Sequence, residues 1–252
     1  MKHELRRAFE RARDTYPDAA LVQKTVAGNL AATIPPGRWD PILEIGSGGG
    51  FLHRMLQKHS VTGPYVSLDL TRSMLQMTET GDGTPHLMVQ ADGESPPFRD
   101  RSFHLLVSSS TLQWFQRPQH SIPALLALLR HGGIFAFSLF VEGTLGELSE
   151  SSRRTGFGSI HPLKPAGYYT DLLASLPDIT FRAKRSRETL LFPSVRAVLQ
   201  NLKQTGAVYT EQKHAVSRSC FAAFIRDYEE RFEQNGRIPA TYEVLTLHGT
   251  RA

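Results

Sequence analysis

Short apolar runs closed by acids or glycines alternate, through the first half of this chain, with stretches whose apolar positions recur at helical spacing. The runs Ile42-Leu43-Glu44-Ile45, Tyr65-Val66-Ser67-Leu68-Asp69, Leu87-Met88-Val89 and Phe103-His104-Leu105-Leu106-Val107-Ser108-Ser109 predict four strands, and residues 134–140 predict a fifth that is buried on both faces. Residues 51–59 predict a helix between the first two. A leucine-rich helix is expected over 123–130, with His131-Gly132-Gly133 as its C-cap. Ahead of the strands, residues 5–16 read as a charged helix stopped by Pro17, and 20–34 as an amphipathic one stopped by Pro35-Pro36-Gly37. Beyond them come two extended stretches within 179–192, helices over 195–204 and 218–233, and a closing strand over 241–247. Strands alternating with helices predict an α/β fold with a doubly wound sheet, the last strands forming an antiparallel edge.

At 252 residues the chain suits one domain with elaborations. Residues 142–177 hold many turn formers and no long apolar period, so 141–178 is read as a lid inserted over the strand ends, and 1–36 as an N-terminal helical cap. No run approaches the length of a membrane-spanning helix and Met1-Lys2-His3-Glu4-Leu5-Arg6-Arg7 lacks an apolar signal core, which leads us to expect a cytoplasmic protein with no membrane contact. The single Cys220 has no partner for a disulfide and is read as a buried, inert thiol, while ten histidines scattered without ligand spacing predict no metal. A net charge of +5 favours an acidic partner. Its basic residues bunch at Arg153-Arg154 and at Arg182, Lys184, Arg185 and Arg187 without interleaved aromatics, an arrangement that argues against nucleic acid.

Candidate chemistry begins where the first strand runs into Gly46-Ser47-Gly48-Gly49-Gly50. A glycine turn there lets backbone approach a ribose or an amino-acid tail. A dinucleotide fingerprint counted from Gly46 requires glycine where Phe51 stands, which counts against a nicotinamide cofactor. Glu44 before the turn would repel a pyrophosphate and tolerate a cationic amino-acid end. Asp69, 23 residues after Gly46, can accept from ribose hydroxyls, and Asp92, following the third strand, from an adenine amino group. S-adenosylmethionine has that character. On the residues alone, Asp69 can instead cap a helix beginning near Arg72, and Asp92 can be an ordinary turn acid.

These residues resemble the class I S-adenosylmethionine-dependent methyltransferases, whose Rossmann-like fold is a mostly parallel seven-stranded sheet. The resemblance implies that Glu44, Gly46, Ser47, Gly48 and Gly50 cradle the methionine and ribose end, that Asp69 holds the ribose hydroxyls, that Leu70 and Met74 pack on the adenine, and that Asp92 and Gly93 face it. His104 stands where that class usually has aspartate, a position expected to brace the strand.

A closer likeness runs through Phe9-Glu10-Arg11-Ala12-Arg13-Asp14-Thr15-Tyr16, Leu112-Gln113-Trp114, Val141-Glu142-Gly143-Thr144-Leu145-Gly146-Glu147-Leu148, Leu202-Lys203-Gln204-Thr205-Gly206-Ala207 and Pro239-Ala240-Thr241-Tyr242-Glu243-Val244. In this order they are similar to the malonyl-[acyl-carrier-protein] O-methyltransferase family of biotin synthesis. Ser47 replaces a cysteine common in that family's glycine loop, and residues 78–85 form a short glycine-rich segment. The resemblance implies methylation of the free carboxylate of a malonyl thioester, at the start of pimeloyl and biotin synthesis, with malonyl-acyl-carrier protein or malonyl-coenzyme A as partner. An ionised carboxylate needs no general base, so catalysis falls to positioning groups. Tyr16, Gln113 and Trp114 are the candidates at the transfer centre, although Tyr16 can simply end a surface helix and Trp114 can be core. Arg153 or Arg154 suits the malonyl carboxylate. Arg182, Lys184, Arg185 and Arg187 suit the acidic carrier protein. A methyltransferase for another small acceptor, or a non-catalytic protein of the same fold, stays open.

Overall fold

In the computed structural model, which describes residues 2–78, 85–207 and 217–252, the apolar runs become strands. In chain order these are β1 (Gly37–Arg38), β2 (Ile42–Ile45), β3 (Val61–Thr62), β4 (Tyr65–Asp69), β5 (His86–Gln90), β6 (Phe103–Ser109), β7 (Leu129–Phe140), β8 (Ile179–Phe192) and β9 (Ile238–Arg251). The helices are α1 (Lys2–Ala12), α2 (Tyr16–Ala19), α3 (Leu21–Ala31), α4 (Phe51–Lys58), α5 (Arg72–Leu75), α6 (Pro118–Ala127), α7 (Gly146–Thr155), α8 (Ala166–Ala174), α9 (Val195–Gln204) and α10 (Arg218–Phe232).

Seven strands form one sheet in the order β5-β4-β2-β6-β7-β9-β8, and β1 pairs separately with β3. β2 runs parallel to β4 and to β6, β4 to β5, and β6 to β7; β9 is antiparallel to β7, with Phe137 opposite Leu247. The chain therefore winds outward from β2 through β4 and β5 on one side and from β6 through β7 on the other. Sheets of this kind bind ligands beyond the strand ends at that reversal. The central strands read as continuous apolar runs because both faces are covered: all four residues of β2 are buried, as are Leu105, Leu106 and Val107 of β6, whereas edge strand β5 leaves Leu87 and Met88 exposed. Leu43, Ile45, Leu106, Leu125, Phe135, Phe137 and Leu245 belong to one core cluster. Truncating any of these large side chains to alanine costs about 2–5 kcal/mol.

Two compact units divide the chain. One, comprising Gln23–Val141, Lys164–Ser186 and Val244–Ala252, holds the parallel strands; the other comprises Met1–Val22, Glu142–Leu163 and Arg187–Glu243. In the latter, Ser194 and Ser217 start α9 and α10 by accepting from the amides of Ala197 and Cys220. Phe224 and Tyr228 of α10 are fully buried, Phe157 stacks on Phe224 at 4.0 Å between ring centres, and the Tyr228 hydroxyl donates to Pro239 O at 2.8 Å.

Several expected boundaries move, each for a visible reason. The N-terminal helix stops at Ala12, and Pro17 lies in the first turn of a second helix, where its missing N–H costs nothing. α6 begins at Pro118, not 123, because the Glu94 carboxylate accepts from Arg117 N at 2.7 Å and so caps the helix from a distant loop. His131-Gly132-Gly133 caps no helix: Leu129 already pairs with Phe103, and the three residues lie inside β7 at an irregularity of the ladder. The two stretches expected within 179–192 are one strand, β8. Residues 141–178 carry two helices, α7 and α8; residues 142–163 fall in one unit and 164–178 in the other. Cys220 is half-buried, its thiol 3.3 Å from Thr155 O, not sealed in a core.

Candidate functional site

The glycine turn after β2 is held from three sides. From β4, Leu68 O accepts from the amides of Gly46 (2.7 Å) and Ser47 (3.1 Å), and the Asp69 carboxylate accepts from Gly48 N at 2.9 Å. The other Asp69 oxygen accepts from both the amide and the hydroxyl of Thr71, at 2.8 Å each. Beyond β6, the Thr111 hydroxyl donates to Gly46 O at 3.3 Å and to Ser109 O at 3.1 Å. Gly46 takes φ +71°, and a Cβ there would lie 2.1 Å from Thr111 Oγ1, so only glycine lets the two loops meet this closely. Gly50, at φ +73°, ends the turn at the start of α4, where a Cβ would press on Thr78.

Two acids flank this turn, Glu44 buried and Asp69 half-buried. Glu44 is 1% exposed, and Tyr65, across the β2–β4 ladder, donates its hydroxyl to Glu44 Oε2 at 2.8 Å. Burial pushes the Glu44 carboxyl up to about 8, against the Tyr65 bond and Arg54, which lower it; Asp69 adds to the rise. The Tyr65 phenol is lifted well above its ordinary range by burial and by the neighbouring carboxylate. Burial also raises Asp69, while the bonds from Thr71 and Gly48 oppose it.

The third loop is anchored through its own acid. Asp92 Oδ1 accepts from Glu94 N at 3.0 Å, the turn for which aspartate is suited. Buried Glu94 then reaches the start of α6, accepting from Arg117 N and from the Ser121 hydroxyl at 2.9 Å. Gly93 packs against Ile45, where a Cβ would come within 2.8 Å of the isoleucine side chain. Met74 is buried on α5 and Leu70 half-buried beside Asp69.

After β6 the chain makes a single 3-10 turn, Leu112–Trp114. Gln113 is buried, its amide donating to Ser110 O at 2.8 Å, and Trp114 is half-buried. Four buried oxygens around the glycine turn and this loop have no protein partner among the described residues: Ser47 Oγ, Thr78 Oγ1, Ser110 Oγ and Gln113 Oε1. Leaving such groups unmatched is costly, and they suit a polar ligand. A nucleoside with an amino-acid end fits this set, since bare backbone, carboxylates and spare hydroxyl and amide oxygens stand at one sheet end.

The remaining candidates belong to other elements. In the other unit, Tyr16 is half-buried at the start of α2 with its ring edge-on to Phe9 at 6.4 Å. Arg153 and Arg154 are exposed on α7, and Arg154 bonds Asp227 at 2.8 Å, which holds the Asp227 carboxyl below the usual range. Arg182, Lys184 and Arg185 are exposed along edge strand β8. Arg187, on the same strand, is paired with Glu243 at 2.7 Å. That pair lines a groove of about 550 Å³ with Glu147, Thr189 and Thr241, a groove that no glycine-turn residue lines. Of the segment 78–85, residues 79–84 lie outside the described residues.

Sequence reasoning missed Tyr65, His53 and His86, whose rings pack together beside Glu44, and it missed Thr111 and Glu94 as the braces of two loops. A signal for Tyr65 was present. Tyr65, Ser67 and Asp69 alternate along β4 and so share one face of a strand otherwise apolar.

Comparison with known proteins gives the family and the fold. Residues 43–137 match the family described as a methyltransferase domain. Over 99% of both chains the sequence is 30% identical to the malonyl-[acyl-carrier protein] O-methyltransferase of Geobacter sulfurreducens, and it is 28% identical to that of Marinomonas sp. over 96% of this chain and 92% of the relative. Among solved structures, YcgJ of Bacillus subtilis superposes with a TM-score of 0.62 at 14% identity, covering 90% of this chain and 98% of the other.

Proposed function

Because this chain belongs to the malonyl-[acyl-carrier protein] O-methyltransferase family, we propose that it methylates the free carboxylate of a malonyl thioester borne by acyl-carrier protein. The observation that carries this reading is the end-to-end match with the Geobacter sulfurreducens relative, which leaves 1% of either chain outside it. The chain is an S-adenosylmethionine-dependent methyltransferase. When bound, S-adenosylmethionine supplies an electrophilic methyl group on a sulfonium.

The residues of the chain supply grip and alignment. Glu44 and the glycine turn would take the amino-acid end, and Ser47 Oγ offers it a spare oxygen. Asp69 serves two ends in this reading: it braces the turn through Gly48 N, and the same oxygen would accept from a ribose hydroxyl. Leu70 and Met74 would cover the adenine, with Asp92 and Gly93 at its edge. Gln113 Oε1, fixed by the bond from its own amide to Ser110 O, is aimed without further ordering cost. Trp114, beside it, would shield the reacting atoms from water, and Tyr16 is assigned to the same centre on the family resemblance.

No base is needed. A malonyl carboxylate is ionised at neutral pH, and its oxygen is the nucleophile as it stands. An arginine fork orients such a group. Arg153 is the better of the two candidates, because Arg154 is already held by Asp227. Arg182, Lys184 and Arg185 are exposed on one edge strand and suit an acidic carrier protein; Arg187 is engaged with Glu243 and contributes less.

The test is incubation with methyl-labelled S-adenosylmethionine and, side by side, malonyl-acyl-carrier protein, malonyl-coenzyme A and free dicarboxylic acids. Label in the carrier-bound malonyl group ahead of the others is expected. Label in a free acid alone would assign the chain another small acceptor.

A further inference from the structure

We propose that Tyr65 is a positioning residue for cofactor binding, holding the Glu44 carboxylate through its hydroxyl so that uptake of the cofactor's ammonium group expels a proton from Glu44. This rests on the reading that Glu44 meets the amino-acid end of S-adenosylmethionine. Three observations carry it. Tyr65 is the one hydrogen-bond donor to Glu44 among the described residues, at 2.8 Å, and both side chains are almost wholly buried. The tyrosine ring packs on His53 of α4, at 4.3 Å between ring centres, and on His86 of β5, at 5.3 Å, with the two histidine rings 4.8 Å apart. His86 is in turn tied to the Ser67 hydroxyl at 2.8 Å, so β4 and β5 together fix where the phenol points.

The charges that face Glu44 are few. Asp69 on β4 opposes its ionisation, Arg54 on α4 favours it, and the segment of β6 paired with β2, Leu105 to Val107, offers only aliphatic side chains. A carboxyl so placed, with its titration pushed up to about 8, is largely protonated at neutral pH. A protonated Glu44 cannot pair with an ammonium group. Binding therefore selects the ionised fraction and releases the proton, and affinity rises with pH until that fraction saturates. Removing the phenol hydroxyl takes away the bond that favours the ionised form, which moves the rise to higher pH.

The experiment is calorimetric titration with S-adenosylhomocysteine across pH 6.5 to 9.5, comparing wild type, Tyr65→Phe and Glu44→Gln. S-adenosylhomocysteine carries the same amino-acid end and survives alkali. Wild type is expected to bind about tenfold more weakly at pH 7 than at pH 9 relative to Glu44→Gln, in which the ligand's own titration remains and that of residue 44 is gone. Tyr65→Phe, which keeps the ring packed on the histidines, is expected to be weaker than wild type by about tenfold near pH 7.5 and to approach it at pH 9.5. A purely packing role would give a ratio of affinities constant with pH, and that constancy, or a wild-type profile that parallels Glu44→Gln, overturns the proposal. Failure of wild type to bind at any pH would instead overturn the cofactor reading on which it stands.

Discussion

The acids at the ends of the parallel strands and the arginines of α7 and β8 solve opposite problems. Glu44 is enclosed and takes a hydrogen bond from Tyr65 on the adjacent strand, and Asp69 is bonded by Gly48 and Thr71 of the neighbouring loops, in positions set by the sheet and its turns. Arg153, Arg182, Lys184 and Arg185 extend into solvent, and the arginines beside them that do find partners find them far along the chain: Arg154 with Asp227, Arg187 with Glu243. An enclosed acid is fixed by the fold and expensive to disturb. Surface charge is cheap to move, so its meaning depends on a partner.

Mutation can break this contrast, and the largest effect should come at the turn itself. Gly46→Ala places a methyl group against Thr111 in a left-handed backbone, and a loss of about 2–4 kcal/mol in unfolding free energy, with cofactor binding abolished, is expected from denaturant melts and calorimetry. Asp69→Ala releases Gly48 N and both groups of Thr71; cofactor affinity should fall on the order of 100-fold, about 2–3 kcal/mol. Unchanged affinity in that variant would reduce Asp69 to a turn-former.

Glu44 makes a sharper, pH-dependent case. Its carboxyl is raised by folding from 4.5 to about 8, so the stability it contributes is complete below 4.5 and is lost as pH climbs to 8. Without ligand, the advantage of wild type over Glu44→Gln in urea melts should shrink across that window by an amount on the order of a few kcal/mol, then level off. A flat difference would mean that Glu44 is ionised throughout. The smallest structural effect belongs to the surface. Replacing Arg182, Lys184 and Arg185 together by alanine should change stability by less than about 0.5 kcal/mol. Carrier-protein binding at low salt should nonetheless weaken on the order of tenfold, with most of its salt dependence gone. A variant that destabilised the fold as Gly46→Ala does would erase the contrast.

The same division explains what the sequence made legible. An acid at the end of a short apolar run, repeated at Glu44 and Asp69, marks parallel strand ends because such runs are largely buried and leave few places for charge, while the run before Asp92 is the exposed edge strand β5. The β2, β4 and β6 boundaries were readable for that reason. What set the start of α6 was not local: Glu94 caps it across 23 residues. The packing of Tyr65 with His53 and His86 depends on the pairing of β4 with β5 and the approach of α4, neither of which has a trace in the intervening residues. Gly132-Gly133 was ambiguous by nature, since a positive-φ glycine suits a helix cap and a strand irregularity equally. As for the arginines, no rule of spacing tells a paired one from a free one when the acid lies 73 residues away.

Methyl transfer to the free malonyl carboxylate is tested most directly by the chemistry of the product. After incubation with methyl-labelled S-adenosylmethionine and malonyl-acyl-carrier protein, the carrier is isolated and treated with mild alkali. Label that joins malonyl-carrier but not acetyl-carrier protein, and that leaves as methanol, is the result expected of an ester at the free carboxylate. Label that survives the alkali, or that joins both carriers alike, would contradict it.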